Sequence, residues 1–241
     1  MQNEAIGLIL CLFFIMNGFM TQLPCTGVIL AGGLNQRVGG KNKALSKVGG
    51  KMILDRTLMS FDALFRETII VTKKPLEYAT WDTLIVSDIF SAHSPLAGLH
   101  AGLTYTQTPY IFIIACDTPF IKTSLINAIL EEIDTKSDII VPETEKGLQP
   151  LCAVYSKQCL PVTEKLLRQA ETTTRNVADS LKKRVLNQEL KILNLYDEVR
   201  VKRIPEGYLL NSDPALLSFF NVNTPEDFVR AEQMLSENPN L

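Results

Sequence analysis

Two segments of the sequence combine residue types that could bind a nucleotide and a metal ion. The first is glycine-rich and reads GGLNQRVGGKNK from Gly32 to Lys43. Glycines let backbone amide groups approach an anion closely, and Arg37 and Lys43 would add a forked and a point positive charge. The spacing fits neither a Walker A loop nor G-x-G-x-x-G. It therefore predicts a polyphosphate site of another kind; the alternative is a glycine-rich turn with exposed cations.

The second segment is Cys116–Pro119, which follows the apolar run YIFIIA at positions 110–115. A carboxylate at the carboxyl end of a buried strand is costly unless it is paired or bound to a metal. Mg²⁺ is commonly held by one or two carboxylates together with substrate phosphate oxygens. Asp117 is therefore predicted to be a Mg²⁺ ligand. The alternative is that Asp-Thr-Pro merely forms a turn.

The elements that must position these segments alternate between β-branched apolar runs and segments with helical spacing. This order predicts a single α/β domain, Rossmann-like and three-layered (α/β/α), with a mostly parallel sheet. Ligands bind such sheets at the carboxyl ends of the strands, near the switch point. We predict strands at 26–31, 68–71, 84–87, 110–115, 138–141, 151–155 and 219–222, and helices at 52–65, 75–80, 95–105, 123–133, 161–170 and from 225.

The region Thr172–Asp213 is more polar, and we expect it to be a peripheral elaboration without its own domain. Before the domain, Ala5–Met20 is almost wholly apolar but shorter than the roughly 20 residues that span a bilayer. Three interpretations stand: a membrane anchor or signal, an apolar helix packed on the domain, or an upstream mis-start with Met20 as the true initiator. We favour the last, which gives an extension at 1–19 and a single α/β domain at 20–241.

Composition excludes several classes of function. Lys and Arg number 24 against 26 Asp and Glu, and aromatic residues are 7%, so a broad nucleic-acid surface is not expected. The five cysteines form no C-x-x-C pair, and the two histidines lack the spacing of metal ligands. A disulfide framework or a zinc site is therefore not expected. The pattern favours a reducing, cytoplasmic setting, and membrane association is not expected.

Four motifs of the sequence, taken together, resemble those of the glycosyltransferase-A-like nucleotidyltransferases, and closely those of the molybdenum cofactor guanylyltransferases. The similarity runs from about Gly27 to Leu235 and leaves out 1–19 and much of 183–217. The sequence departs from the family at Asn42, where an acidic residue is expected before the loop lysine. The motifs are LAGGLNQRVGGKNK, Cys116–Pro119, Ser94–Leu99 and Asn221–Asp227.

The resemblance implies a Mg²⁺-dependent enzyme that transfers GMP from GTP to molybdopterin or the molybdenum cofactor and releases pyrophosphate. Catalytic roles would fall to Asp117, Lys43 and Arg37, with Asp117 on the metal. Asn221 and Asn223, at the end of the predicted last strand, would reach the metal or the pterin phosphate, and Gln149, Pro150 and Arg175 are further candidates for the pterin side. Molybdoenzyme apoproteins would be additional partners. The implied nucleotide contacts are Leu30, Ala31, Gly32, Gly33, Lys43, Thr72, Asp88 and Asp117.

The choice of base depends on Asp88, which follows the predicted strand at 84–87. A carboxylate can accept hydrogen bonds from both the ring N–H and the exocyclic amine of guanine. The alternative is an Asx turn or a helix cap. Three other functions stay open: a cytidylyltransferase of the same cofactor, a sugar-phosphate nucleotidyltransferase, and a non-catalytic nucleotide-binding module.

Overall fold

A computed structural model describes residues 24–32, 37–38, 41–92, 94–175 and 190–238. The expectations for residues 1–19, Gly33 and the side chains of Arg37 and Arg175 lie outside the described residues. The described strands are β1 Cys25–Leu30, β2 Arg37–Val38, β3 Lys41–Asn42, β4 Lys47–Val48, β5 Lys51–Met52, β6 Thr68–Val71, β7 Leu84–Val86, β8 Tyr110–Ala115, β9 Ile139–Thr144, β10 Gly147–Leu148, β11 Cys152–Ser156 and β12 Val201–Pro205.

The described helices are interspersed with the strands along the chain. Short 3-10 helices lie at Pro75–Tyr78, Lys157–Cys159, Ile192–Leu195 and Leu217–Phe219. The α-helices are α1 Ile53–Asp62, α2 Pro95–Tyr105, α3 Thr123–Leu130, α4 Leu160–Arg175, α5 Glu206–Leu209 and α6 Pro225–Glu237. Within these described residues, no helix is both long and apolar enough to span a membrane.

The central sheet has the order β10-β9-β11-β8-β1-β6-β7, and β12 pairs with β9. Strand β1 runs parallel to both of its neighbours, β6 and β8, and β6 runs parallel to β7. Strand β11 is antiparallel to β8 and β9. The chain moves outward from β1 to β6 and β7 and then returns to the other side of β1 as β8. The switch point therefore lies between the carboxyl ends of β1 and β8, where ligands bind in such sheets.

Helices cover both faces of the sheet and give the three layers that the sequence predicts. Val28 and Leu30 of β1 face a core that includes residues of α2 and α4, whereas Ile29 faces one that includes residues of α1 and α3. Strand β1 is buried along its whole length, as its apolar sequence requires. A Cβ atom at Gly27 would lie 2.4 Å from the Phe61 ring, so glycine is what allows α1 to pack this closely.

The predicted strand at 219–222 is wrong. Residues 217–219 form a 3-10 helix, and the next residues are extended without a strand partner in the described sheet. Both edges of β8 are already occupied, by β1 and β11, so no ladder position is open beside it. The segment is instead attached to the loop after β8 through the Val222 N–H, which donates to the Asp117 carbonyl at 2.9 Å, and through the Asn221 side chain, which accepts from the Thr118 hydroxyl at 3.3 Å. Asn221 and Asn223 therefore follow a turn rather than a strand.

The expectation for Thr172–Asp213 missed a strand of the main sheet. Strand β12 pairs in parallel with β9 over five residue positions, from Val201 opposite Ile139 to Pro205 opposite Glu143. Its sequence VKRIP buries only Ile204 fully, so it lacks the apolar run that marks the central strands. Elsewhere the predictions fall close to the observed bounds: α2 begins and ends as predicted, and Thr224 caps α6 in a capping box with Asp227.

Candidate active site

The loops that follow β1 and β8 meet at the switch point of the sheet. The Cys116 N–H donates to the Leu30 carbonyl at 3.1 Å, so the two strands stay paired up to the residue before Asp117. The Thr118 hydroxyl donates to the Ala115 carbonyl at 3.1 Å and thereby closes the turn around Asp117. Asp117 is thus fixed at the carboxyl end of a buried central strand, as the sequence predicts.

Asp117 is a half-buried acid, and one of its carboxylate oxygens lacks a protein partner in the described part of the chain. Among the described residues, its Oδ1 atom is buried and has no hydrogen-bond partner. Burial raises the pKa of this carboxyl above its ordinary value, and the nearby Lys43 ammonium opposes that shift. An ionised carboxylate is costly in such a place unless a cation joins it. The geometry therefore leaves one carboxylate oxygen available to a ligand that the described residues do not supply.

Lys43 is buried at the same edge and is held by the C-terminal part of the chain. Its side chain is 3% exposed, and its ammonium donates to the Asn223 Oδ1 at 2.8 Å. Lys43 lies at the centre of a turn in which the Ala44 N–H donates to the Asn42 side-chain carbonyl at 3.1 Å. An ammonium has three protons to donate, so the bond to Asn223 leaves capacity for a phosphate.

The two asparagines are placed by the start of α6. The Asn223 N–H donates to the Asp227 carboxylate at 2.8 Å, which fixes Asn223 at the capping box of the helix. Asn221 accepts a hydrogen bond from the Thr118 hydroxyl at 3.3 Å, next to Asp117. Both asparagines are exposed, so their amides stand at the surface of the site. Lys43, Asp117, Asn221 and Asn223 thus converge from three distant segments.

A small cleft lies at the carboxyl ends of β1, β6 and β7. Asp88 lies on its wall, and the Lys73 ammonium lies 3.6 Å from the Asp88 carboxylate. Lys73 also donates to the carbonyls of Ser91 and Ala92, each at 3.3 Å, so the loop after β7 holds it in place. A hydrogen-bond acceptor and a donor therefore stand side by side. The lining residues are Leu30, Gly32, Val71, Lys73, Asp88, Ser94, Pro95 and Gly98.

Other predicted site residues have different surroundings. Thr72 is buried, and its hydroxyl accepts from the Lys74 N–H at 3.2 Å, so it supports a turn after β6. The backbone of Ala31 is engaged with Val71 and with the Tyr78 hydroxyl. Gln149 donates to Thr144 at 3.0 Å beside the β9–β10 hairpin. Contacts of these residues with substrate stay predictions.

Sequence reasoning missed three residues of this region. Thr118 supports Asp117 and bonds Asn221, and Lys73 forms part of the cleft wall. Tyr78 bonds both Asn42 and Ala31 and so lies between the two loops of the site. A basic residue directly after a strand could have marked Lys73. No signal in the sequence indicates Tyr78, because its partners are distant in the chain.

The residues present fit a divalent cation that is shared with a substrate. Within the described part of the chain, no group of three or more His, Cys, Asp or Glu side chains could hold a metal ion. One half-buried carboxylate with an unpartnered oxygen is instead what a Mg²⁺ ion bound mainly through substrate phosphates requires. Asp117 is the residue that would hold it.

Comparison with known proteins gives a consistent result. A family model described as "MobA-like NTP transferase domain" matches residues 27–185. The molybdenum cofactor guanylyltransferase of Desulfosudis oleivorans is 38% identical over 207 residues, an alignment that covers 86% of this chain and 94% of that protein. A probable molybdenum cofactor guanylyltransferase of Natranaerobius thermophilus is 34% identical and covers 88% and 97%, respectively.

A solved structure shares the fold over most of both chains. It is molybdopterin-guanine dinucleotide biosynthesis protein A from Archaeoglobus fulgidus, with a TM-score of 0.71 and 25% sequence identity. The match covers 88% of this chain and 99% of that one. The mostly parallel, three-layered architecture is thus the architecture of this relative.

Proposed function

The chain belongs to the MobA-like NTP transferases, the family of its molybdenum cofactor guanylyltransferase relatives, and from this premise we propose that it transfers GMP from GTP to the molybdenum cofactor. A terminal phosphate oxygen of the molybdopterin attacks the α-phosphorus of GTP. The bond from the α-phosphorus to the bridging oxygen breaks, and pyrophosphate leaves. The product is the guanine dinucleotide form of the cofactor.

One observation carries this proposal. A buried lysine, Lys43, and a half-buried carboxylate, Asp117, stand together at the switch point, and a cleft with its own acid, Asp88, opens alongside. A triphosphate needs positive charge at its phosphates and a separate pocket for its base. Lys43 and Asp117 suit the triphosphate, and the cleft with Asp88 suits the base.

The protein's own contribution is positioning and charge neutralisation, which dominate in transfers of this kind. Lys43 binds the β and γ phosphates, and its bond to Asn223 keeps the ammonium aimed at them. Arg37 is assigned to the same phosphates. The backbone of the segment from Leu30 to Gly33 cradles the nucleotide. Asn221 and Asn223 face the pterin phosphate or the metal.

Asp117 would hold a Mg²⁺ ion, and its Oδ1 atom, which lacks a hydrogen-bond partner among the described residues, would be the ligand atom. When bound, Mg²⁺ withdraws charge from the phosphate oxygens and keeps them in a fixed orientation. Asp117 is held for this task by the turn that Thr118 closes.

The base is read in the cleft by Asp88. Its carboxylate accepts from the ring N–H and the exocyclic amine of guanine, a pair of donors that two carboxylate oxygens match. We assign the reaction to the cytoplasm, which the free thiols of Cys25, Cys116, Cys152 and Cys159 support. The product is delivered to molybdoenzyme apoproteins.

Conversion of molybdopterin by the purified protein tests the proposal. The mixture contains α-labelled GTP, Mg²⁺ and molybdopterin, and mass spectrometry identifies the dinucleotide product. We expect a product that carries the label and whose formation needs all three components. Labelled GMP without a dinucleotide product would indicate simple hydrolysis and would contradict the proposed transfer.

A further inference from the structure

Asn42 connects two loops of the site through both ends of its amide. Its side-chain carbonyl accepts from the Ala44 N–H at 3.1 Å and closes the turn that has Lys43 at its centre. Its amide nitrogen donates to the Glu77 carboxylate and to the Tyr78 hydroxyl, each at 2.9 Å. Both partners belong to the 3-10 helix that follows β6.

The Tyr78 hydroxyl carries the connection onward to the other nucleotide loop. The ring is fully buried, and the hydroxyl donates to the Ala31 carbonyl at 3.5 Å while it accepts from Asn42. Glu77 is also paired with Lys74, whose ammonium lies 2.6 Å away. The Asn42 side chain, together with Tyr78, therefore fixes the turn that contains Lys43 relative to the segment after β1.

We propose that Asn42 is a positioning residue for Lys43 and that it works only as an amide paired with the Glu77 carboxylate. The proposal rests on the proposed function, because it takes the phosphate-binding role of Lys43 as given. The amide supplies the donor that Glu77 accepts and the acceptor that the turn requires. Asn42 and Glu77 thus form one unit, and the amide replaces the acidic residue expected at this position.

A carboxylate at position 42 would keep the hydrogen bond from the Ala44 N–H but could not donate to Glu77. An aspartate oxygen could still accept from the Ala44 N–H, so the turn itself would survive. The other oxygen would face Glu77, and two carboxylates at hydrogen-bond distance repel each other. The acid is therefore compatible with this chain only if Glu77 changes as well.

A double-mutant cycle tests the pairing. The variants are N42D, E77Q and N42D/E77Q. In the double variant, the amide at position 77 can donate to the carboxylate at position 42, which restores the hydrogen bond with donor and acceptor exchanged. We expect N42D to weaken GTP binding by about tenfold or more, and the double variant to recover to within about threefold of the unmodified protein, since interacting residues are non-additive. E77Q alone leaves an acceptor for Asn42 and should change binding by less than about threefold.

Two measurements separate positioning from a general loss of structure. GMP lacks the β and γ phosphates that Lys43 binds, so N42D should weaken GMP binding much less than GTP binding. Lys74→Ala is the matched control, because it removes the ion pair that Lys74 forms with Glu77 and leaves the bond to Asn42 in place. It should not alter the ratio of GTP to GMP affinity.

The cycle also distinguishes this inference from failure of the proposed function. Each variant is titrated with GTP, CTP and ATP and the matching monophosphates, and its Tm is measured. If the protein prefers another triphosphate, the guanine assignment fails while the pairing is still tested with that nucleotide. Should N42D not fold, E77K takes its place, because it removes the acceptor of Asn42 from an exposed position. Unchanged triphosphate binding in both N42D and E77K, or no recovery in the double variant, would overturn the inference.

Discussion

The Lys43 ammonium bonds the Asn223 side chain at 2.8 Å across 180 positions of the chain. The lysine arrives from the loop after β1, whereas the asparagine is fixed by the capping box of the last helix. The lysine that we propose to bind phosphate is therefore held in place by the C-terminal segment. This contact makes the C-terminal segment part of the candidate site.

Lys43→Ala should weaken GTP binding and slow transfer while leaving GMP binding nearly unchanged. The reason is that the ammonium acts on the β and γ phosphates, which GMP lacks. Titration calorimetry with both nucleotides gives the comparison, and Lys47→Ala is the control because Lys47 is an exposed residue of β4. Equal loss of GTP and GMP affinity would make Lys43 a structural residue.

Asp117→Asn should lower turnover by at least about a hundredfold, the scale of a lost transition-state charge interaction. The same change should raise thermal stability at pH 7. Burial raises the pKa of Asp117, so its ionisation costs folding free energy as the pH rises from the ordinary value of 3.8 through the raised pKa.

Thermal unfolding from pH 4 to pH 7 checks the stability effect of Asp117→Asn. The variant should exceed the unmodified protein at pH 7, and the difference should shrink as the pH falls and the natural carboxyl becomes protonated. Mg²⁺ with GTP should raise the Tm of the unmodified protein more than that of the variant. A variant with full turnover at saturating Mg²⁺ would refute the metal assignment.

Asp88→Ala should reduce the preference for GTP over ITP. Inosine lacks the exocyclic amine that the carboxylate accepts from, so the unmodified site leaves an acceptor unpaired when ITP binds. Competition binding yields the ratio of affinities, and Asp82→Ala, an exposed acid in the preceding loop, is the control. If the ratio is the same in the variant and the unmodified protein, Asp88 does not read the base.

Asp213→Asn should destabilise the segment that carries the two asparagines. The carboxylate is fully buried, lies 2.9 Å from the Lys122 ammonium, and accepts from the Ser218 N–H at 2.8 Å. Burial alone would raise the pKa of Asp213, but the bonds from Ser218 and Lys122 outweigh it and hold the pKa below its ordinary value. Its contribution to stability is therefore present above pH 3.8 and is lost as the pH falls through the lowered pKa.

We expect Asp213→Asn to cost about 2 kcal/mol in the free energy of unfolding at pH 7. Urea denaturation measures this loss, with the exposed Asp197→Asn as the control. A loss below about 0.5 kcal/mol, the range of ordinary surface substitutions, would mean that the ion pair does not anchor the segment.

The sequence predicts the central part of this fold well because burial is strong there. Strand β8 and helix α2 have the predicted bounds, since an apolar run and a proline after a serine cap leave little choice. Asp117 was identifiable for the same reason, as an acid directly after a buried strand. Strand β12 was missed because its lysine and arginine leave only one fully buried side chain.

Contacts between distant segments could not be predicted from the residues alone. The bond between Asn42 and Glu77 joins two positions whose side chains have no common local pattern. Lys73 gains its place on the cleft wall only when the loop after β7 folds over it. The segment 219–222 looks like a strand because it is apolar, yet the sheet has no free edge beside β8.

Pyrophosphate release that depends on molybdopterin tests the central claim most directly. The purified protein is given GTP, CTP or ATP at equal concentration with Mg²⁺, with and without molybdopterin, and Asp117→Ala is run in parallel. Guanylyl transfer predicts release with GTP that requires molybdopterin, much lower release with CTP and ATP, and loss of the signal in the variant. Release that is equally fast with CTP, or that does not need molybdopterin, would contradict it.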